Sequence, residues 1–567
     1  MTNSSESILK RLLPSLDFLE DYDRRQFSRD LFAGVTVAVV LIPQVMAYAI
    51  LAGLPPVYGL YAALLGTAAA AIWGSSRQLS TGPVALVSFL VLSALVPVAK
   101  PESAEYIALA VILALLIGLV QLMMGLFRLG FLMTYISHSV IAGFTTAAAI
   151  IIATTQIPTI FGFSIESREA VFLNVIEIAR KLPETHLPTL ILGLSSVLLV
   201  IFLKKRVSRS FPSALVAVGA GILISYFLDL RTAGVAVVGQ IDASLTLPTF
   251  PEINLDQLFS LLPSALVISV VGFLEAYAIS KAIASKTKQR LDVNKELIGQ
   301  GVGNLASSVL KGYPVAGSFS RTAVNFSAGG ETAVSSVFVS LFVLITILFL
   351  TPLLYFLPRA VLGAIVIAAL VDLIEFSKFR ETFKLSGSDG IVITVTFLFA
   401  FVMRPENAIF IGILVSLILF LRKTIAARVV PCVFHFDEER FYQISEDNRV
   451  KQFAYVMILR VDMSIFFANA NNIAEQIEDL AEEMGDDLKY IVINFSGVNY
   501  IDVSGCDVMG ELFEELTAKG ITIYSMYRKH QVREIMKKSG VDKYLTPLHD
   551  IKGFKHEFII QKNLNIA

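Results

Sequence analysis

A guanidinium that keeps its charge at any physiological pH stands at Arg321, within Gly317-Ser-Phe-Ser-Arg-Thr-Ala-Val-Asn325 and among segments apolar enough to live in lipid. An arginine at mid-membrane costs about 2.5–3.5 kcal/mol on translocon scales, so it marks a functional site whose anionic partner has to be named. The alternative is an arginine at a helix end that reaches for headgroups. Gly312, Pro314, Gly317 and the small hydroxyl residues around it read instead as a broken helix. Ser80-Thr-Gly-Pro-Val-Ala-Leu-Val-Ser88 is a second segment of this kind, and it also opens with hydroxyl and glycine residues. A helix that starts inside a protein leaves backbone N–H groups unpaired, and its dipole adds about half a positive charge there. Two such ends facing one another, with Arg321 beside one, make an anion site built mostly from backbone. Thr81 and Ser318 or Ser320 serve as caps or as anion contacts, and both roles use the same N–H groups.

Other polar side chains interrupt apolar runs. Gln44 follows Pro43, and a lone amide there needs a ligand or a helix–helix hydrogen bond. Tyr48 lies one helical turn on along the same face, as a lining residue or a packing aromatic. Glu275, in Val271-Gly-Phe-Leu-Glu-Ala-Tyr-Ala-Ile-Ser280, is the other buried charge. It either pairs permanently with Arg321 or takes up and releases a proton. His138 and Trp73 read as packing or interfacial residues. No metal-ligand cluster and no nucleophile–base arrangement stands out, so neither an enzyme nor a bound cofactor is expected.

The elements that must position these residues are membrane helices. Over 567 residues 55% are hydrophobic and 16% charged, and mean hydropathy is +0.70; soluble domains carry about a quarter charged residues. The chain is therefore a polytopic α-helical membrane protein. Its net charge of −1 points to no nucleic-acid partner. Cys432 and Cys506 both lie in the polar C-terminal part, which fits a reducing compartment. Residues 1–29 are polar, carry Lys10, Arg11, Arg24, Arg25 and Arg29, and lack the apolar core of a signal peptide.

Apolar runs place fourteen spans near 31–51, 56–73, 81–96, 106–127, 131–156, 188–203, 212–228, 258–283, 295–310, 318–328, 335–357, 360–374, 390–403 and 407–421. The spans beginning at Thr81 and Ser318 are too short and too rich in Gly, Pro, Ser and Thr to cross as regular helices. An even number of spans puts both ends on one side. With a cytoplasmic N-terminus the inner loops carry Arg77, Arg128, Lys204-Lys205-Arg206 with Arg209, the group Lys281, Lys286, Lys288, Arg290 and Lys295, then Lys378, Arg380 and Lys384. The outer loops carry the sparser set Lys100, Arg168, Arg180, Lys181, Arg231, Lys311, Arg359 and Arg404. Positive residues favour the cytoplasmic side, so both termini are expected inside, at the cell's inner (plasma) membrane. Each short segment is third in a group of seven, about 30–230 and 258–424, and seven is odd, so the second group is inverted relative to the first. That is the pattern of an inverted-repeat transporter with a midplane substrate site.

From about residue 435 the chain turns acidic and soluble in composition. The pattern predicts strands at 453–460, 490–495 and 521–524 and helices at 470–483, 504–518 and 529–538, a small α/β domain with a largely parallel sheet.

Asp30-Leu-Phe-Ala-Gly-Val-Thr36, Leu41-Ile-Pro-Gln-Val-Met-Ala-Tyr-Ala49 and Gly53-Leu-Pro-Pro-Val-Tyr-Gly-Leu-Tyr61 resemble the signature opening of the sulfate permease (SulP) anion transporters. The likeness runs on through Thr81-Gly-Pro83 and the Arg321 stretch to a C-terminal part, 435–567, that looks like a STAS domain. The resemblance implies a seven-plus-seven inverted repeat over 30–424, with a core domain that carries substrate past a gate domain by an elevator-like movement, and a homodimer. It places Gln44, Tyr48, backbone near Val84, Ser320 and Arg321 in the anion pocket, and it makes Glu275 the site of proton or sodium coupling. Tyr500-Ile-Asp-Val-Ser-Gly505 resembles the phosphorylation loop of STAS relatives, which commonly carry hydroxyls at both positions before the glycine. Here Val503 takes one of them, so Asp502 and Ser504 read better as a helix cap.

Moving one charge across 100 mV is worth about 2.3 kcal/mol, so a divalent anion entering a negative cell works against about 4.6 kcal/mol, and one co-transported proton offsets half. The expectation is a sulfate:proton symporter whose partners are a small inorganic anion, a proton, membrane lipid, a second copy of the chain and a cytosolic protein at the STAS domain. Sodium-coupled bicarbonate transport, dicarboxylate transport, electroneutral exchange and STAS-based signalling are the rivals.

Overall fold

A computed structural model describes residues 22–165, 171–207, 211–240, 255–426, 428–435, 439–444 and 455–561. Residues 1–21 of the expected N-terminal segment, and Arg168 and Arg209 of the loop charges, lie outside them. The chain divides into two compact units between Ser416 and Leu417.

The first unit is helical: α1 (Arg24–Leu51), α2 (Val57–Trp73), α3 (Ala85–Leu95), α4 (Ala104–Leu126), α5 (His138–Phe161), α6 (Val171–Lys181), α7 (Leu187–Arg206), α8 (Ser213–Phe227), α9 (Leu255–Thr287), α10 (Val293–Val309), α11 (Phe319–Ser327), α12 (Val334–Ile345), α13 (Arg359–Leu370), α14 (Phe376–Leu385), α15 (Gly387–Val402) and the first part of α16 (Pro405–Ile425), which the division cuts. A helix stands in each of the fourteen predicted spans, and among the described residues seven helices are long and apolar enough to cross a membrane. Several boundaries differ from expectation. The span placed at 131–156 begins as a 3-10 helix, Leu129–Tyr135, and α5 starts only at His138, where Ser137 accepts from Ser139 N at 3.2 Å. The span at 335–357 is α-helical only to Ile345; a π turn and a 3-10 stretch holding Pro352 complete it. Proline removes a backbone donor and cannot sit inside a regular ladder. The helices α6 and α14 were not expected; both are short and amphipathic.

Packing sorts these helices into two bundles that each draw on both halves of the sequence. In one, α1 to α4 pack with α9 to α12, and α10 is wedged between α2 and α4. In the other, α5, α7 and α8 pack with α13, and α15 lies on α5. Contacts across the divide fall chiefly on α1, which meets α13 and α8.

Inside the first bundle two extended dipeptides cross: β1 (Thr81–Gly82) pairs antiparallel with β2 (Ala316–Gly317). Ser318 N adds a further bond to Ser80 O at 3.0 Å. Two strands this short cannot hold each other, and buried side-chain amides complete the structure. The Asn304 amide acts as a peptide mimic, with Val315 N–H donating to Oδ1 at 2.8 Å and Nδ2 donating to Val315 O at 3.0 Å. Asn304 Nδ2 also reaches Gln121 Oε1, and Gln121 Nε2 reaches Ser269 O, both at 3.0 Å. On the other strand Gln300 Nε2 donates to Thr81 Oγ1 at 2.9 Å and Thr67 Oγ1 to Thr81 O at 2.8 Å. Asn325 Nδ2 donates to Gln78 O at 3.0 Å. This polar clip ties α2, α4, α9, α10 and α11 to the crossing. Asp30, fully buried on α1, accepts from Glu331 N at 2.8 Å and Thr332 N at 3.1 Å, fixing α1 against the α11–α12 connection.

The second unit is a six-stranded sheet of order β4-β3-β5-β6-β7-β8: β3 (Val429–His435), β4 (Arg440–Gln443), β5 (Val456–Val461), β6 (Tyr490–Asn494), β7 (Thr522–Met526) and β8 (Leu545–Leu548). Strands β5 to β7 run parallel, as expected, and the unexpected β8 joins them in parallel, while β3 lies antiparallel to both β4 and β5. Helices α17 (Ala470–Met484), α18 (Val503–Ala518) and α19 (His530–Ser539) cover one face over Ile491 and Ile493; Val492 on the other face packs with Phe554 and Phe558.

Replacing Asn304 by Leu keeps the volume but leaves the Val315 N–H and C=O buried and unpaired, at about 1–3 kcal/mol each. Thermal unfolding of the purified protein should show a clearly lowered midpoint. An unchanged midpoint would mean that the clip does not hold the crossing.

Candidate functional site

Both crossing strands run straight into helices. Val84 is the N-cap of α3, extended at φ −133° and ψ 152°, and no side chain caps the helix. Its valine side chain has no acceptor to offer, so the first-turn N–H groups of α3 are left to another partner. On the opposite strand Ser318 caps α11, with Oγ 3.5 Å from Arg321 N.

Arg321 is fully buried in the first turn of α11. Its side chain reaches across to β1, where Nη1 donates to Pro83 O at 2.9 Å. A Cβ built on Gly82 would lie 3.2 Å from Nη2, so the guanidinium rests directly on the strand backbone. Nε and Nη2 find no partner among the described residues. A Cβ on Gly317 would lie 2.8 Å from Ala276 Cβ, so β2 lies flush on α9 beside Glu275. No ion pair within 4.0 Å joins Glu275 and Arg321 among the described residues. Glu275 Oε2 is buried with no hydrogen-bond partner there. The permanent Glu275–Arg321 pair weighed from the sequence is thus absent from this conformation.

A cavity lies between the two bundles. Val40 and Gln44 of α1 and Ser320 and Val324 of α11 line it on one side; Val200 and Lys204 of α7, Ser213 and Ala214 of α8 and Ile365 and Ala368 of α13 line it on the other. Gln44 is 7% exposed, and its Oε1 has no partner among the described residues. Ser320 is exposed. Gln44 and Ser320 therefore meet in one space, while Tyr48, Thr81, Val84, Glu275 and Arg321 are not part of its lining. Tyr48 is buried one turn beyond Gln44, and Thr81 has its hydroxyl engaged by Gln300.

In the second unit Asp502 is the N-cap of α18, accepting from Gly505 N at 2.7 Å with Oδ1 and from Phe467 N at 3.0 Å with Oδ2. Ser504 is exposed in the first turn and caps nothing, contrary to the expectation for that residue.

Residues 27–396 match the model of the Sulfate permease family, and residues 447–553 match the STAS domain. The chain belongs to the sulfate permease family. It is a multi-pass membrane transporter of anions, and its relatives are transporters rather than enzymes. It is 31% identical over 575 residues to sulfate transporter 4.1, chloroplastic, of Arabidopsis thaliana, covering 98% of this chain and 84% of that one. It is likewise 31% identical over 529 residues to the probable sulfate transporter Rv1739c of Mycobacterium tuberculosis, covering 93% and 94%. Murine Slc26a9, an anion transporter solved in the inward-facing state, superposes with a TM-score of 0.89 at 25% identity, covering 98% of this chain and 95% of that one. The transmembrane domain of the cyanobacterial bicarbonate transporter BicA superposes at 0.61 with 26% identity, covering 70% and 98%.

Sequence reasoning missed the clip residues Thr67, Gln121, Gln300, Asn304 and Asn325 in this permease-family chain. The rule that singled out Gln44, an amide stranded in an apolar run, applies equally to Gln121 and would have found it. Lys204 was read only as a loop charge.

Arg321 carries a fixed positive charge at the crossing. Removing one partner of a buried charge pair costs about 2–5 kcal/mol, so Arg321→Ala should weaken anion binding by at least ~30-fold while the protein stays monodisperse. Arg321→Lys should recover only part, because an ammonium keeps the charge and loses the planar fork. Equilibrium binding of labelled sulfate to the purified variants is the check, and wild-type affinity in Arg321→Ala would overturn the assignment.

Proposed function

We propose that the chain carries sulfate across the cell's inner (plasma) membrane by proton symport, through an elevator-type movement of one bundle past the other. The observation that carries the reading is Arg321: fully buried, bound to one backbone carbonyl and paired with no carboxylate among the described residues. Beside it stands the uncapped N-terminus of α3. Such a site is completed by a small anion. Val84 backbone, Thr81, Ser320 and Arg321 bind it in this reading, with Gln44 and Tyr48 of α1 closing the pocket. All these residues belong to a single bundle, so a rigid shift of that bundle takes the anion with it.

Several relatives are named sulfate transporters, which favours sulfate; the likeness to BicA keeps bicarbonate as the second reading. Glu275, a carboxyl with one oxygen buried and unpartnered beside β2, is the proton site in this scheme. With residues 1–29 and the STAS domain at 435–567 placed in the cytoplasm, the transporter domain spans 30–424. It works as a homodimer in lipid, and the STAS domain receives a cytosolic partner.

Glu275→Gln imitates the protonated acid in shape and cannot titrate. Labelled sulfate uptake into proteoliposomes, at fixed membrane potential with and without an inward proton gradient, tests the coupling. Wild type should accelerate with the gradient and the variant should not. Equal acceleration would remove Glu275 from the coupling step; no acceleration in either would leave exchange or uniport.

A further inference from the structure

A second hollow, of about 530 Å³, opens where the end of α4 meets the start of α10, and it shares no lining residue with the cavity beside Gln44. Close packing builds it. A Cβ on Gly125 would lie 2.8 Å from Asn294 O, and one on Gly130 2.7 Å from Asn294 Oδ1, which accepts from Gly130 N at 3.0 Å. Between these glycines Arg128 holds a left-handed backbone, φ 57°, that residues other than glycine adopt rarely. Arg128 and Lys295 both line the hollow and are exposed, and no carboxylate pairs with either among the described residues. Asp292 also lines it, but its Oδ1 already accepts from Asn294 N at 2.9 Å and Lys295 N at 3.2 Å. Glu296, the next acid along the chain, is buried and accepts from Ser75 N and Ser76 N, both at 3.0 Å. Lys286, Lys288 and Arg290, all exposed, lead into Asp292, so positive charge dominates this surface. Beside it α4 shows an apolar stripe: Leu119, Met123, Leu126 and Phe127 follow helical spacing and are all exposed, and Leu126 also lines the hollow. Since α4 is long and apolar enough to cross a membrane, its stripe meets lipid and the hollow at its end lies at headgroup level.

We propose that Arg128 and Lys295 hold the headgroup phosphate of an anionic phospholipid whose acyl chains lie along Leu119, Met123 and Phe127 of α4. Basic pockets between membrane helices take anionic headgroups, at about fivefold in affinity for each basic residue. A soluble phosphate uses only the charged half of such a site, whereas a lipid also covers the apolar stripe that continues from it. A zwitterionic headgroup brings its own cation beside Arg128 and gains little there. The leaflet is the cytoplasmic one if both termini are inside as proposed above; the site itself does not depend on that orientation. Both helices belong to the bundle that carries Arg321. On the elevator reading, a lipid seated there favours the position of that bundle that keeps the hollow at headgroup level.

The test is native mass spectrometry of the full-length protein in detergent micelles, titrated with phosphatidylglycerol, with phosphatidylcholine and with soluble glycerol phosphate. Wild type should bind phosphatidylglycerol more tightly than phosphatidylcholine. Arg128→Gln combined with Lys295→Gln should weaken the first phosphatidylglycerol bound about thirtyfold and leave phosphatidylcholine unchanged. Arg128→Lys combined with Lys295→Arg keeps both charges and should stay within about fivefold of wild type. Equal phosphatidylglycerol affinity in wild type and the double Gln variant would overturn the proposal. Displacement of phosphatidylglycerol by an equal concentration of glycerol phosphate would make this a site for free phosphate and overturn the lipid assignment. Weakened binding of both lipids in both double variants would assign Arg128 and Lys295 to packing α4 on α10 and overturn it too. None of these measurements involves transport, so failure of sulfate uptake and failure of the lipid site are read separately.

Discussion

The structure depends on a guanidinium removed from water that meets no carboxylate among the described residues. Taking an ion from water into a protein interior costs several kcal/mol even after relaxation. Arg321 recovers part of that through Pro83 O, but a carbonyl dipole leaves the net charge in place. An added anion is the cheapest way to finish the site, and one that comes and goes serves transport better than a resident glutamate would. In the proposed function a permanent Glu275–Arg321 pair would fill the same role and leave the anion no charge to meet. The separation of these two charges, both within reach of β2, is therefore the feature on which the proposed function turns.

The polar clip follows from that constraint. An uncapped helix end and a buried charge repel each other and expose backbone, so something must hold the crossing against its own electrostatics. Asn304, Gln300, Gln121 and Thr67 do so with neutral amides and a hydroxyl. Neutral groups add no counter-charge, so the site stays positive while becoming rigid. The clip spans most helices of one bundle and none of the other, leaving α1 as the chief contact between the two.

The parts of this arrangement legible in the sequence were those that break a local rule. Arg321 and Glu275 violate the apolarity of their spans, and the segments after Thr81 and Ser318 violate helix length. Gln44 was found on the same grounds and does line the cavity. The clip was illegible because its bonds join residues such as Gln300 to Thr81 and Asn304 to Gln121 across two packed helices, and single-chain patterning carries no register between them. In the STAS domain the parallel strands β5 to β7 announced themselves by runs of Val and Ile. Strand β3 did not, because Pro431 interrupts it and Arg428 precedes it, and β4 and β8 have only four residues each. Ser504 was misjudged because Asp502 alone satisfies the first turn of α18.

Selenate has the shape and charge of sulfate and carries an anomalously scattering centre. Its position in crystals of the full-length protein tests the account most directly. An anomalous peak between the first turns of α3 and α11, within hydrogen-bonding distance of Nε or Nη2 of Arg321, is the predicted result. Saturating selenate with its peak elsewhere, and Arg321 still without an anionic neighbour, would contradict it.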